Sequence, residues 1–371
     1  MRQIEWEKVG KILIRGTNWV GDAVMSIPAM REVRRIFPQA HITLLVRPWV
    51  RDVYGDVDFV DEIMVYDKQG VHRGPRGLLR LAASLMERRF DLALLLQNAF
   101  EAALIAWSAR IPIRVGYARD ARGFLLTHPL QIDPELRSVH QVHYYLGILY
   151  AAGWLPQRPW KSGEHSINIR IGVRDADRRA ADTLLQAEGI REGRPLLVIN
   201  PGAHYGGAKR WFPERYAAVA DALAQRYALC PVIVGSAREV GIAREIASRM
   251  KSVPVVLSGR TSLGQLMAVI ERCRLFITND SGPMHLAAAL DVPQVAIFGS
   301  TSEVATGPWS RKAEVIRHPV DCSPCFLREC PTDLACMAGV TVEQVLAAAE
   351  RKLAEGWREQ REKGPRPEPS Y

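Results

Sequence analysis

LFITNDSGPMHLAAALDVPQVAIFG occupies residues 275–299. It opens on an apolar run of strand length that stops at Asn279 and Asp280. Ser281, Gly282 and Pro283 then supply a helix start: a side chain able to cap, a residue without Cβ, and a proline suited to the first turn. A small-residue helix follows over 283–290, and PQVAIF, 293–298, reads as a second buried strand. Strand, helix and strand in that order is the unit that builds parallel sheets covered on both faces.

The same alternation extends outward through the chain. KILIRG (11–16), HITLLV (41–46), DEIMVY (61–66) and DLALLLQ (91–97) are strand-like in the first half. PLLVIN (195–200), CPVIVG (230–235), PVVLSG (254–259) and RLFITN (274–279) are strand-like in the second. Helical patterns occupy 22–37, 99–110, 213–227, 238–250 and 262–272. The fold class is therefore α/β, with two Rossmann-like doubly wound domains. The Pro-rich stretch LPQRPWKSGEHS, 155–166, separates them, so domains are expected at 1–160 and 161–345. Residues 346–371 complete a last helix (342–357) and end in a tail, GPRPEPSY, expected to be disordered. Two such domains facing one another place the carboxyl ends of their strands around a shared cleft.

The 371 residues suffice for two cores, and the composition (48% hydrophobic, 24% charged) is that of a globular protein. No apolar run approaches the ~18 residues of a membrane span, and the N-terminus lacks a signal-peptide core, so a cytoplasmic location is expected. A net charge of +9, carried mostly by arginine, suits a phosphorylated or carboxylate partner. Lys68, Arg73, Arg76 and Arg80 form one acid-free basic run, which is either a solvated face or a docking surface for an anion.

Glycine fingerprints narrow the phosphate chemistry. No G-x-G-x-x-G follows a strand, which argues against a nicotinamide or flavin enzyme. GAHYGGAKR, 202–210, has the first spacing of a P-loop, but Ala208 stands where its lysine belongs and Arg210 follows Lys209 in place of Ser or Thr. An ATPase lacks its magnesium hydroxyl there. What remains is a diphosphate held at a helix N-terminus, and Asp280, Ser281 and Gly282 fit that role, with His285 in the first turn. The alternative is a well-capped helix with a surface histidine. A second polar turn, RGTNWVGDAVMSIPAMR (15–31), carries Asp22 at a helix start, either as an N-cap or as a general base.

Four segments together, RGTNWVGDAVMSIPAMR, NPGAHYGGAKRWFPERYAAVA, TNDSGPMHLAAALDVPQVAIFGST and DCSPCFLRECP, run from residue 15 to residue 331. With them the chain resembles the ADP-heptose:lipopolysaccharide heptosyltransferases of glycosyltransferase family nine, most closely the heptosyltransferase II branch. The resemblance implies a GT-B fold, with an acceptor domain at 1–160 and a nucleotide-sugar donor domain at 161–345. It implies inverting transfer of L-glycero-D-manno-heptose from ADP-heptose, with no cofactor required for catalysis and no metal in the active site. The partners it implies are that donor and a heptosyl-Kdo2-lipid A acceptor, met peripherally at the cytoplasmic face of the inner membrane, with no nucleic acid. It makes Asp22 the catalytic base. It assigns Lys209, Asp280, Ser281, Gly282 and His285 to the donor diphosphate and sugar, His204 and Tyr205 to the donor, and Glu239 and Thr261 to the adenosine. Basic residues around Arg73–Arg80 and Arg110–Arg122 would receive the acidic acceptor.

Cys322, Cys325, Cys330 and Cys336 crowd into DCSPCFLRECPTDLAC. In a cytoplasmic protein that spacing leaves open a zinc tetrathiolate, an iron–sulfur cluster, packed small residues or a redox pair. Cys230 and Cys273 read as core. Two alternatives stand beside the second-heptose reading. One is a sister enzyme of heptosyltransferase I or III type with another acceptor position or donor. The other is a zinc-containing basic nucleic-acid-binding protein.

Overall fold

The computed structural model of the chain describes residues 6–161 and 167–363, so the expected tail and the end of the Pro-rich stretch lie outside the described residues. The chain forms two compact units, Met1–Ile171 and Gly172–Tyr371.

In the first unit, β1 (Lys11–Arg15), β2 (His41–Val46), β3 (Glu62–Val65), β4 (Leu92–Leu95), β5 (Ile113–Tyr117) and β6 (His128–Leu130) form one parallel sheet. Its order is β3-β2-β1-β4-β5-β6. Ile12 sits opposite Ile42 on one side and Leu92 on the other, and all three are buried. Side chains covered on both faces explain why these strands are nearly continuous apolar runs.

In the second unit, β7 (Leu196–Asn200), β8 (Cys230–Ile233), β9 (Val255–Val256), β10 (Cys273–Asn279), β11 (Gln294–Phe298) and β12 (Ala313–Arg317) do the same in the order β12-β11-β10-β7-β8-β9. Counted from its own first strand, this order repeats the first unit's, so both units are Rossmann-like, as a GT-B fold requires.

Several elements depart from the sequence expectation for local reasons. β6 and β12 lie at sheet edges, where Pro129 and the charged Glu314 and Arg317 are tolerated and break the apolar signal. The single helix expected over 22–37 is two, Val20–Met25 and Ile27–Ile36. Pro28 cannot donate to Val24, and the Ser26 hydroxyl donates to the Ala23 carbonyl at 2.9 Å, so the ladder breaks between them. Helix Gln141–Ala151 was not expected because its sequence, QVHYYLGILYA, is apolar on nearly every face and shows no helical stripe. The last helix runs from Val342 to Lys363, beyond the expected 357. It buries Val345, Ala348, Ala349 and Leu353 in the second unit's core, on β10, β11 and β12, so residue 345 marks no division of the structure.

Candidate functional site

The strand order of the second unit reverses between β7 and β10, and ligands of doubly wound sheets bind beyond the carboxyl ends of the strands at that point. β7 ends in Asn200 and β10 in Asn279. The Asn279 side chain accepts from the Trp211 N–H at 3.1 Å and the Tyr216 hydroxyl at 2.8 Å, and donates to the Pro201 carbonyl at 2.7 Å. It thereby anchors both ends of the segment carrying Lys209 to β10. Asn200 donates to the Ser281 hydroxyl at 2.9 Å and to the Thr278 hydroxyl at 3.1 Å.

Lys209 and Asp280, distant in sequence, meet there: Nζ lies 2.5 Å from Oδ2, with the side chains 13% and 6% exposed. The Thr301 hydroxyl donates to the same carboxylate oxygen at 2.6 Å. Ser281 stands at the N-cap of helix Gly282–Ala289 with extended backbone, and no side chain caps that helix. The capping reading of Asp280 and Ser281 is thus corrected, because one pairs with Lys209 and the other accepts from Asn200. The surface-histidine reading of His285 is corrected as well, since His285 is only 4% exposed. Asn200 and Thr301 were missed as site residues, although they are the first and last residues of two of the quoted segments.

The Lys209 segment is braced by the cysteine-rich one. Ala208 N–H donates to the Arg328 carbonyl at 2.9 Å, and Gly207 N–H to Glu329 Oε1 at 3.0 Å. A Cβ on Gly206 would lie 2.2 Å from the Arg328 carbonyl oxygen. The Tyr205 hydroxyl donates to the Phe326 carbonyl at 2.8 Å, and its ring lies 5.0 Å from Lys209 Nζ. His204 is exposed on the same loop.

The remaining donor candidates follow the next strands along. Glu239, beyond β8, accepts from the Ser236 N–H at 2.7 Å and hydroxyl at 2.8 Å in a capping box. A Cβ on Gly202 would come within 1.9 Å of Glu239 Oε1, so that glycine makes room for the carboxylate beside β7. Thr261, half-buried, lies beyond β9 on the loop before helix Leu263–Arg272. Asp280, Gly202, Glu239 and Thr261 therefore follow four adjacent strand ends, a row about 14 Å long at the ordinary strand spacing.

In the first unit, the turn after β1 is pinned from below. Buried Arg15 donates to the Gly16 carbonyl at 2.5 Å and to Asn18 Oδ1 at 2.9 Å, while the Trp49 indole donates to the Asn18 carbonyl at 2.7 Å. Trp19 holds the N-cap position of helix Val20–Met25, so Asp22 lies inside the first turn and is not its N-cap. The Tyr145 hydroxyl donates to Asp22 Oδ1 at 2.9 Å. Burial pushes the Asp22 carboxyl above its usual range, and the hydrogen bond from Tyr145 opposes that shift. A half-buried carboxylate so held can take a proton from a hydroxyl.

The basic residues divide. Arg73, Arg76 and Arg80 are exposed on or beside helix Gly74–Glu87, and Lys68 pairs with Glu101. Arg122 is fully buried and donates to the Tyr117 carbonyl at 3.0 Å and to Asn98 Oδ1 at 3.3 Å. It is a structural residue, which corrects its place in the acceptor surface.

Cys322, Cys325, Cys330 and Cys336 line one hollow together with Ala208 and Ser300, and all are free thiols. Among the described residues, no three His, Cys, Asp or Glu side chains are gathered to hold a metal ion. Hydrogen bonds from Thr332 hold the Cys330 thiol below its usual range, and burial raises that of Cys336. Cys273 is core as expected, whereas Cys230 is half-buried. No helix among the described residues is long and apolar enough to cross a membrane.

Comparison with known proteins now adds to this geometry. The model of Glycosyltransferase family 9 (heptosyltransferase) matches residues 78–335. Lipopolysaccharide heptosyltransferase 2 of Salmonella typhimurium is 35% identical over 83% of this chain and 88% of its own length. Lipooligosaccharide heptosyltransferase 2 of Haemophilus ducreyi is 32% identical over the same shares. The solved structure of ADP-heptose lps heptosyltransferase II from E. coli superposes with a TM-score of 0.79 at 29% identity, covering 93% of this chain and 99% of that one. The family match spans most of the chain, including the Lys209, Asp280 and cysteine segments, and the chain belongs to glycosyltransferase family 9, the heptosyltransferases.

Proposed function

We propose that this glycosyltransferase moves L-glycero-D-manno-heptose from ADP-heptose onto heptosyl-Kdo2-lipid A, adding the second heptose of the lipopolysaccharide core with inversion at the anomeric carbon. The carrying observation is the likeness to heptosyltransferase 2 proteins at up to 35% identity over most of their length. The row of polar groups along β10, β7, β8 and β9 supports it, because it offers a cation and a helix N-terminus at one end and a carboxylate toward the other.

Breaking the bond from heptose C1 to ADP builds positive charge on the sugar and negative charge on the leaving diphosphate. Lys209 meets that negative charge, together with the N–H groups of Ser281 and Gly282; Pro283 has none to offer. Asp280 and Thr301 keep the lysine in place. Glu239 and Thr261 hold the nucleoside end. Asp22 takes the proton of the acceptor hydroxyl as its oxygen attacks C1 from the face opposite ADP, which inverts that centre. The departing diphosphate needs no acid from a second carboxylate. Exposed Arg73, Arg76 and Arg80 meet the phosphorylated acceptor, and the enzyme works peripherally at the cytoplasmic face of the inner membrane.

Transfer from ADP-heptose to acceptors carrying zero or one heptose tests the assignment. Activity on the one-heptose acceptor alone is expected. Equal activity on the heptose-free acceptor would refute it in favour of a first-heptose enzyme.

A further inference from the structure

The mechanism leaves one buried polar group beside the base without a part to play. Tyr145 is 4% exposed on helix Gln141–Ala151, and its hydroxyl reaches Asp22 Oδ1 at 2.9 Å across 123 positions of sequence. Its neighbours fix where that hydroxyl sits. The Tyr144 ring meets the Tyr145 ring edge-on at 5.6 Å, and Tyr144 in turn accepts from Asn98 Nδ2 at 2.7 Å. The Tyr117 hydroxyl donates to the Tyr144 carbonyl at 3.1 Å. A Cβ on Gly147 would lie 2.7 Å from the Tyr117 oxygen and 2.6 Å from Leu136, so the helix seats closely only because residue 147 is glycine. The titratable groups facing Asp22 are Tyr145 from this helix and Tyr54 from the short 3-10 helix Pro48–Tyr54, whose hydroxyl donates to the Ala23 carbonyl at 3.2 Å.

We propose that Tyr145 is a positioning residue of the transfer reaction: its hydroxyl fixes Oδ1 of Asp22 and leaves Oδ2 as the oxygen that receives the acceptor proton. This rests on Asp22 being the base. A neutral O–H donor suits the task better than a cation, because it orients the carboxylate and favours its ionised form without quenching its basicity. Burial and the neighbouring Asp22 push the Tyr145 phenol well above its usual range, so it stays a donor throughout the working pH of the enzyme.

The test is Tyr145→Phe, which keeps the ring and its packing, compared with Asp22→Asn. We expect Tyr145→Phe to lower kcat about 10- to 100-fold, the weight of one hydrogen bond to a charged group. KM for ADP-heptose should hold, and the acid limb of the pH–kcat profile should move to higher pH. Asp22→Asn should lose at least ~10²-fold in kcat. If Asp22→Asn is inactive while Tyr145→Phe keeps the wild-type kcat and acid limb, the role of Tyr145 is overturned and the base stands. A Tyr145→Phe protein with a lower melting temperature but an unmoved acid limb overturns it equally, as a merely structural contact. Wild-type turnover in Asp22→Asn removes the base and this proposal with it.

Discussion

Replacing Lys209 with methionine separates what its ion pair does for the fold from what its charge does for transfer. Lys209 Nζ lies 2.5 Å from Asp280 Oδ2, with little solvent at either side chain. Removing the amine leaves a buried carboxylate, and breaking a buried pair costs about 3–5 kcal/mol. The Thr301 hydroxyl, 2.6 Å from the same oxygen, still donates and places the loss at the lower end, about 3 kcal/mol. In a unit of this size ~1 kcal/mol moves the melting temperature by about 2–4 °C, so the second unit should melt roughly 6–12 °C lower. In Lys209→Met/Asp280→Asn the uncompensated charge is gone, and most of that stability should return. Turnover should not return. Both variants lack the cation proposed to meet the leaving diphosphate, a loss expected to be worth about 10²–10³-fold in kcat. Calorimetry of the three proteins beside a transfer assay with ADP-heptose reads both effects. A single variant that melts like wild type, or a double variant that regains turnover, would refute the reasoning.

Three further outcomes follow from the structure. Because burial raises the Asp22 carboxyl, the basic form accumulates only as pH climbs past the ordinary aspartate value of ~3.9, and the acid limb of kcat should have its midpoint above that value. The sign for stability is opposite: a raised folded pKa favours the neutral carboxyl, so this contribution is present at low pH and lost as pH rises through the folded value. Asp22→Asn should therefore melt no lower than wild type at pH 7, and a clear drop would contradict it. Gly206→Ala drives a Cβ against the Arg328 carbonyl, backbone on backbone, so the Lys209 segment must shift. ADP affinity measured by calorimetry should fall about 10-fold, for a displacement costing ~1–3 kcal/mol, and unchanged affinity would refute the proposal that the Lys209 segment, braced by the cysteine-rich one, holds the donor.

The parts of the fold that could be read from sequence are those whose signal is local. Strands buried on both faces announce themselves as apolar runs, and β1, β2, β7, β10 and β11 fall within a residue of their expected ends. Runs interrupted by Arg114 and Gly116, by Pro129, or by Glu314 and Arg317, and a helix apolar on every side, carry no such signal, which is why β5, β6, β12 and Gln141–Ala151 were not anticipated. The cysteines show the limit from the other direction: their spacing brings four thiols to one hollow, but among the described residues no three His, Cys, Asp or Glu side chains are gathered to hold a metal ion.

By itself the sequence determined the two α/β halves, the family, and the short segments in which Asp22, Lys209 and Asp280 lie, because period and motif are properties of neighbouring residues. Only the tertiary structure decided what those side chains touch. Asp280 and Ser281 cap nothing, since Lys209 and Asn200 arrive from another strand end to engage them; Arg122 is buried rather than displayed; and Asp22 is gripped by Tyr145. Each of those contacts joins residues far apart along the chain. Their positions are set by strand order and close packing, which no local pattern records.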